Sequence, residues 1–263
     1  GWHWNNRNFE TGLTADCPGL TERYDGNHTF TTVAGPHATA LLEAYRLTDD
    51  PYFRDAAIGY IKSFDQYAWD EDRKTYMAMI RLDGTPLPER PKGSGYDAFA
   101  PYGPVDAWRS TIYSYEFTLS AAQAAIQAYE TTVRAGEPDP ELLDIAIRWG
   151  QAIENSLPVN SGRRWKQEIE QSMPRIRETG GGYAEDYGRA ISFFVHLHRA
   201  TKNEHYMTLA NDLADEAVEK LYHNGVFLGH PAKPYYETTN GVGLLLVALL
   251  ELDDPQADLG GAL

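Results

Sequence analysis

The stretch from Tyr96 to Leu119, YDAFAPYGPVDAWRSTIYSYEFTL, concentrates side chains that can do chemistry. Tyr96, Asp97, Tyr102, Asp106 and Trp108 precede Arg109, and Tyr113, Tyr115 and Glu116 follow it. Gly103 and Pro104 break regular structure in its first half, so these groups sit on a loop that runs into a helix. Loops held by a rigid scaffold are where binding and catalytic residues collect. An arginine beside tyrosines suits β-elimination from a uronide. Arg109 would neutralise the carboxylate, and Tyr113 or Tyr115 would move the protons. A neighbouring guanidinium favours phenolate. The alternatives are an ion pair of Arg109 with Asp106 or Glu116, and core packing of Tyr113.

Carboxylates offer a second chemistry. Glycoside hydrolysis needs two of them, about 5 Å apart for retention or about 6.5–9.5 Å for inversion. The candidates are Asp97, Asp106, Glu116, Glu185, Asp186 and Glu237. In GGGYAEDYGR, three glycines free the backbone before a helix start, and Glu185 and Asp186 fall in its first turn. Acidic residues there also serve the helix dipole alone. Tyr183, Tyr187 and Arg189 share that helix start and are expected to line the same cleft. Epimerisation would need an acid/base pair, often two histidines. His196 and His198 are two apart on a helix and face different directions. His198 reads as a packed helix residue, and His205 and His223 as surface residues. His230 and Tyr236, in the LGHPAKPYY loop, are the better candidates for substrate contact. No histidine pair has zinc-binding spacing on a helix, so neither a catalytic metal nor a cofactor is expected. Asp-rich loops leave calcium open.

The whole chain bounds these options. Its 263 residues are 42% hydrophobic and 12% aromatic, enough for a sizeable core. A net charge of −15 argues against a nucleic-acid partner or an anionic membrane surface, but not against an anionic substrate met by a local basic cluster. The single cysteine, Cys17, excludes an intramolecular disulfide and a cysteine zinc site. No run of about 18 apolar residues is present. Asn27-His28-Thr29 matches a glycosylation sequon. The opening GWHWNNRNFE is expected to be the start of a processed or truncated product.

Helical periodicity then supplies the frame. Residues 1–35 read as irregular but too aromatic for a disordered tail. Helices are expected at Pro36–Leu47, Tyr52–Tyr67, Thr111–Arg134, Glu141–Asn155, Tyr183–Ala200, Tyr206–Leu221 and Glu237–Leu252. Alternation from Tyr76 to Leu82, with a turn at Asp83-Gly84, predicts a β-hairpin outside the helices. AYRLTDDPYFRDAAIGYI and LHRATKNEHYMTLANDLA share one form: a helix, a polar link with Thr, and a new helix. AYETTVRAGEPDPELLDIAI is a looser copy. Repeated helical hairpins mean a solenoid or a toroid. The fold expected is all-α, an (α/α) toroid over 36–252 with short β-hairpin insertions and a tail over 253–263. A ring of six hairpins needs about twelve helices, so seven make a partial toroid or the C-terminal part of a longer one.

These hairpins, the WDEDRKTYMAMIRLDGTP insertion and the ending YYETTNGVGLLLVALLELDD resemble the (α/α) toroids of carbohydrate-active enzymes. Those include six-hairpin glycosidases, α/α-barrel polysaccharide lyases and the N-acylglucosamine 2-epimerase family. WRSTIYSYEFTLSAA is similar to the Arg-then-Tyr segment of alginate-lyase-like enzymes. That likeness implies that Arg109 holds a uronate carboxylate, that Tyr113 or Tyr115 is the acid/base, and that Asn27 and His28 fill an Asn-His place. The family carries that pair on a helix, whereas DGNHTF reads as loop. The expectation is a secreted or periplasmic polysaccharide lyase acting on an acidic glycan. A glycoside hydrolase, a sugar epimerase and a non-catalytic glycan-binding module are the alternatives. The partner expected is an oligosaccharide or polysaccharide, with a further part of the toroid or a second copy completing the ring.

Overall fold

The computed structural model describes residues 8–13, 28–30, 34–87, 103–105, 118–156, 182–231 and 241–254. Seven helices run through these segments: α1 Ala34–Thr48, α2 Pro51–Ala68, α3 Thr118–Arg134, α4 Pro140–Asn155, α5 Ala184–Thr201, α6 Glu204–Leu221 and α7 Val242–Asp253. The expected first turns of α3, from Thr111, lie outside the described residues. Helix α7 begins at Val242 rather than at Glu237, because Gly241 caps it at φ +71°, outside helical geometry.

The repeated links have one geometry, and local chemistry sets it. Thr48 and Thr201 each donate a hydroxyl hydrogen bond four residues back, to Ala44 O and Leu197 O, both at 2.7 Å. The next residues, Asp49 and Lys202, take φ +57° and +58° and turn the chain. Asp50 and Asn203 then cap the following helices, accepting from Tyr52 N at 3.0 Å and His205 N at 3.1 Å. Asp139 caps α4 in the same way, accepting from Glu141 N at 3.1 Å. Each cap is worth about 1 kcal/mol.

Helices α1, α3, α5 and α7 pack side by side as an inner layer, and α2, α4 and α6 lie behind them. Glycines let the inner backbones touch. A Cβ on Gly35 would lie 2.4 Å from Ala121 N, and one on Gly188 would lie 2.6 Å from Leu245 N. The contacts also fix direction. Early residues of α1 meet early residues of α3, Arg189 of α5 meets Gln123 of α3, and Gly188 meets the start of α7. Late residues meet late residues, Glu130 with His196 and His196 with Glu251. The inner helices are therefore parallel, and their four N-termini open on one rim. The described ends of the three long connections, over 69–117, 156–183 and 222–241, meet the helices at that rim. The three short links turn at the other. The core lies between the layers and includes Ile126, Ile145, Ile153, Ile191, Phe193, Phe194 and Leu213.

Short strands continue two of the outer helices directly. Strand β2, Trp69–Asp70, pairs with β3, Thr75–Tyr76, after α2. Strand β5, Tyr222–His223, pairs with β6, Val226–Phe227, after α6. The second turn is Asn224-Gly225 with both φ positive, the geometry that matches strand twist. Two expectations are corrected here. The N-terminal segment is not wholly irregular: His28–Phe30 forms β1 and pairs antiparallel with β4, Met79–Arg81. The Tyr76–Leu82 stretch does not lie outside the helices either. Tyr76, Met77, Ala78, Met79, Ile80 and Leu82 are all buried. Tyr76 stacks on Trp149 of α4 at 3.9 Å and donates to Asp65 of α2 at 2.6 Å. Arg148 holds the same carboxylate from both its oxygens, at 2.8 and 2.5 Å. Alternation marks a half-exposed strand, and here both faces are buried. Among the described residues no helix is long and apolar enough to cross a membrane.

Candidate active site

The rim where the inner helices begin holds most of the sequence candidates that can be placed. Arg109, Tyr113, Tyr115, Asn27, Tyr96, Asp97, Tyr102, Asp106, Trp108, Glu116, Tyr236 and Glu237 lie outside the described residues. His28 stands in β1, in register with Arg81 of β4. Glu185, Asp186, Tyr183, Arg189, Tyr187 and His230 all belong to the entrance of α5 or to the loop packed on it.

That entrance is built by three elements. Tyr183 is the N-cap of α5 but gives it no side-chain hydrogen bond. The carbonyl of Gly229 does so instead, accepting from Ala184 N at 2.8 Å, and so relieves one of the unpaired amides of a helix start. This docks the loop after β6 onto α5 and sets the His230 ring 4.6 Å from the Tyr183 ring. His230 is fully buried there, as packing beneath the rim rather than on an open surface. On the other side Gly241 sits against α5. A Cβ on it would meet Glu185 backbone and side-chain atoms at 2.4–2.6 Å.

The charged groups are tied as firmly. Arg189 Nε donates to Glu185 Oε1 at 2.9 Å, one turn away. Its Nη1 donates to Gln123 Oε1 of α3 at 2.7 Å. Gln123 is buried, while Glu185 and Arg189 remain partly open. Asp186, the next residue, is 2% exposed. Tyr187 is not in the cleft. It is fully buried and points to the outer layer, donating to Glu216 of α6 at 3.0 Å. Burial and the Glu216 charge push its hydroxyl well above the usual tyrosine range. Glu216 is also paired with Lys220. Two residues beyond Glu185 on a helix is a little over half a turn, so Glu185 and Tyr187 diverge.

The same geometry reveals a polar stripe not anticipated from the sequence. Glu185, Arg189, Ser192 and His196 recur at helical spacing on the face of α5 opposite the outer layer. His196 lies nine residues past Tyr187, two and a half turns at about 3.6 residues each, and so on the opposite side. Its Nδ1 is 2.6 Å from Glu130 Oε1 of α3, and its Nε2 is 3.5 Å from Glu251 Oε1 of α7. Burial pulls the imidazole pKa down, but the two carboxylates outweigh it and lift the value to about 9. Burial would raise the Glu251 carboxyl, but hydrogen bonds from His196 and Ser192 and the charges of His196 and Arg199 hold it below the usual range. The signal for His196 was present in the sequence. It reads as a stripe with Glu185, Arg189 and Ser192, not as a pair with His198, which instead meets the Asn203 carbonyl at the α5–α6 link. Among the described residues no group of three or more His, Cys, Asp or Glu side chains is arranged to hold a metal ion.

No protein-family model matches the chain, and no curated protein matches it. Solved structures do. A GH76 α-mannanase from Bacteroides thetaiotaomicron superposes with a TM-score of 0.55 at 15% identity, over 98% of this chain and 60% of that one. Cellobiose 2-epimerase from Bacillus thermoamylovorans gives 0.54 at 13% identity, over 87% and 57%. An α-1,6-mannanase of a Salegentibacter species gives 0.50 at 17% identity, over 86% and 59%. That last structure is an inactive variant with two consecutive aspartates changed to asparagine, in complex with α-1,6-mannotriose. The chain thus spans about three-fifths of the length of these proteins. At such identities the likeness establishes the fold, an (α/α) toroid.

Proposed function

We propose that the chain is a carbohydrate-active enzyme that hydrolyses glycosidic bonds in an oligosaccharide or polysaccharide at the loop-bearing rim, with Glu185 and Asp186 as its two carboxylates. The observation that carries this reading is the acidic pair in the first turn of α5, on the inner layer, at the rim where the inner helices begin. Hydrolysis uses one carboxyl to protonate the leaving oxygen and another to activate water or attack the anomeric carbon. Consecutive helix residues point about 100° apart, with Glu185 partly open and Asp186 buried beside it. Arg189 fixes the Glu185 carboxylate, which removes an orientational cost at the reaction. The mannanase made inactive at two consecutive aspartates supports the assignment. The helical arc over 36–252 would be the catalytic unit, and a polymeric glycan suits a secreted or periplasmic enzyme.

One observation favours a second reading, β-elimination from a uronate-containing glycan. Four inner helices turn their N-termini to the rim, where partial positive charge favours an anion. Arg109, Asn27 and His28 would then bind the uronate, and Tyr113 or Tyr115 would transfer the protons. Incubation with panels of neutral and uronate-containing glycans separates the two. Hydrolysis yields new reducing ends alone, the result expected. Elimination adds the ultraviolet absorbance of an unsaturated uronide. No new ends from any glycan would overturn both readings.

A further inference from the structure

Three of the four inner helices carry one stripe: a glycine in the first two turns, then apolar residues three and seven places on. In α1 it is Gly35, Ala38 and Leu42, in α5 Gly188, Ile191 and Val195, and in α7 Gly243, Leu246 and Leu250. Residues at these offsets share one helix face. The first two stripes are buried, and the glycine of each touches the next inner helix. Gly35 meets the third and fourth residues of α3, Ser120 and Ala121. Gly188 meets the third and fourth residues of α7, Leu244 and Leu245. The α7 stripe has no such cover among the described residues. Gly243 is exposed, with nothing within 4 Å of where its Cβ would stand, and Leu246 and Leu250 are 44% and 60% exposed. The opposite edge of the arc is open as well. Pro36, the third residue of α1, is exposed together with Ala40 and Leu47, the last at 68%. These three lie about 100–140° round α1 from Gly35, away from the face that α1 turns to α3.

We propose that α7 docks a second copy of the chain by its α1 edge, with the Gly243–Leu246–Leu250 stripe of one copy on Pro36, Ala40 and Leu47 of the other. The contact continues the two already present. It is parallel, like α1 on α3 and α5 on α7, and it sets Gly243 beside the third residue of its neighbour, as Gly35 and Gly188 are set. Both faces are apolar, so joining them removes leucine side chains of both copies from water. The two surfaces differ, so the contact is head-to-tail. Each copy brings four inner helices, and two copies together exceed a ring of six hairpins. The pair therefore keeps one free α7 edge and one free α1 edge, and association proceeds into longer chains. This interface is independent of the chemistry at the rim.

The test is sedimentation velocity of the full chain over a range of concentrations, with Leu250→Glu blocking the α7 edge and Leu47→Glu the α1 edge. Both side chains are exposed, so each variant is expected to fold, which circular dichroism checks. Leu246→Glu and Ala40→Glu replace a variant that does not. Wild type is expected to grow from monomer through dimer to larger species as concentration rises. Each variant alone is expected to associate at least about tenfold more weakly, because the contact would bury an unpaired carboxylate. An equimolar mixture of the two variants is expected to restore association but to stop at the dimer, since one intact edge of each kind remains. Wild type that stays monomeric at every concentration would overturn the interface and leave the α7 edge to a different polypeptide. Leu47→Glu that associates alone at wild-type strength would overturn it too, since α7 would then pair with itself. So would a mixture no more associated than its components.

Discussion

His196 of α5 and Glu130 of α3 meet at 2.6 Å, joining two inner helices on the face turned away from the outer layer. The contact makes stability depend on pH. The imidazole is raised from about 6.5 in the unfolded chain to about 9 in the folded one. Such a group contributes fully below about pH 6.5, and its contribution is lost as pH rises through about 9. The loss expected is on the order of 3 kcal/mol. The lowered pKa of Glu251 works in the opposite sense, and its contribution is lost on acidification below the usual glutamate range. Melting temperature should therefore fall between pH 7 and 10, and His196→Gln should flatten that slope. An equal slope in the variant would contradict this account of the contact.

Backbone contact between inner helices predicts a sharp contrast among glycines. Gly188→Ala places a Cβ 2.6 Å from the α7 backbone and should destabilise the protein by about 1–3 kcal/mol or more. Gly59→Ala, within α2 with nothing inside 4 Å, should stabilise it by about 0.5–1 kcal/mol. Denaturant unfolding of the two variants gives the comparison. Equal effects would mean that the inner helices do not approach as described.

Tyr187 separates structure from chemistry at the α5 entrance. Its hydroxyl lies between Gly182 N and Glu216 on the outer side. Tyr187→Phe should cost about 1–2 kcal/mol of stability and leave glycan turnover near the wild-type value. Large loss of turnover in a stable Tyr187→Phe protein would return this residue to the cleft.

The hairpin repeat was legible because its links are written in local chemistry. TDDP and TKNE both encode a back-bonding threonine, a residue at positive φ and an Asx cap. The burial of Met79 and Ile80 was not, since alternation cannot tell whether the second face of a strand meets water or another helix. The start of α7 was set by a tertiary contact, Gly241 against Glu185, which has no local signature. The acidic pair was legible as a candidate at a helix start. The outward turn of Tyr187 and the inward turn of His196 needed the positions of the neighbouring helices.

The central claim is that Glu185 is a reacting carboxylate at the rim. Its most direct test is the release of reducing ends by wild type and Glu185→Gln from whichever glycan the wild type cleaves. Glutamine keeps the shape and a hydrogen bond to Arg189 but removes the acid. The account predicts a fall in kcat of about 10²–10⁴-fold with the melting temperature nearly unchanged. Turnover within a few-fold of wild type would contradict it.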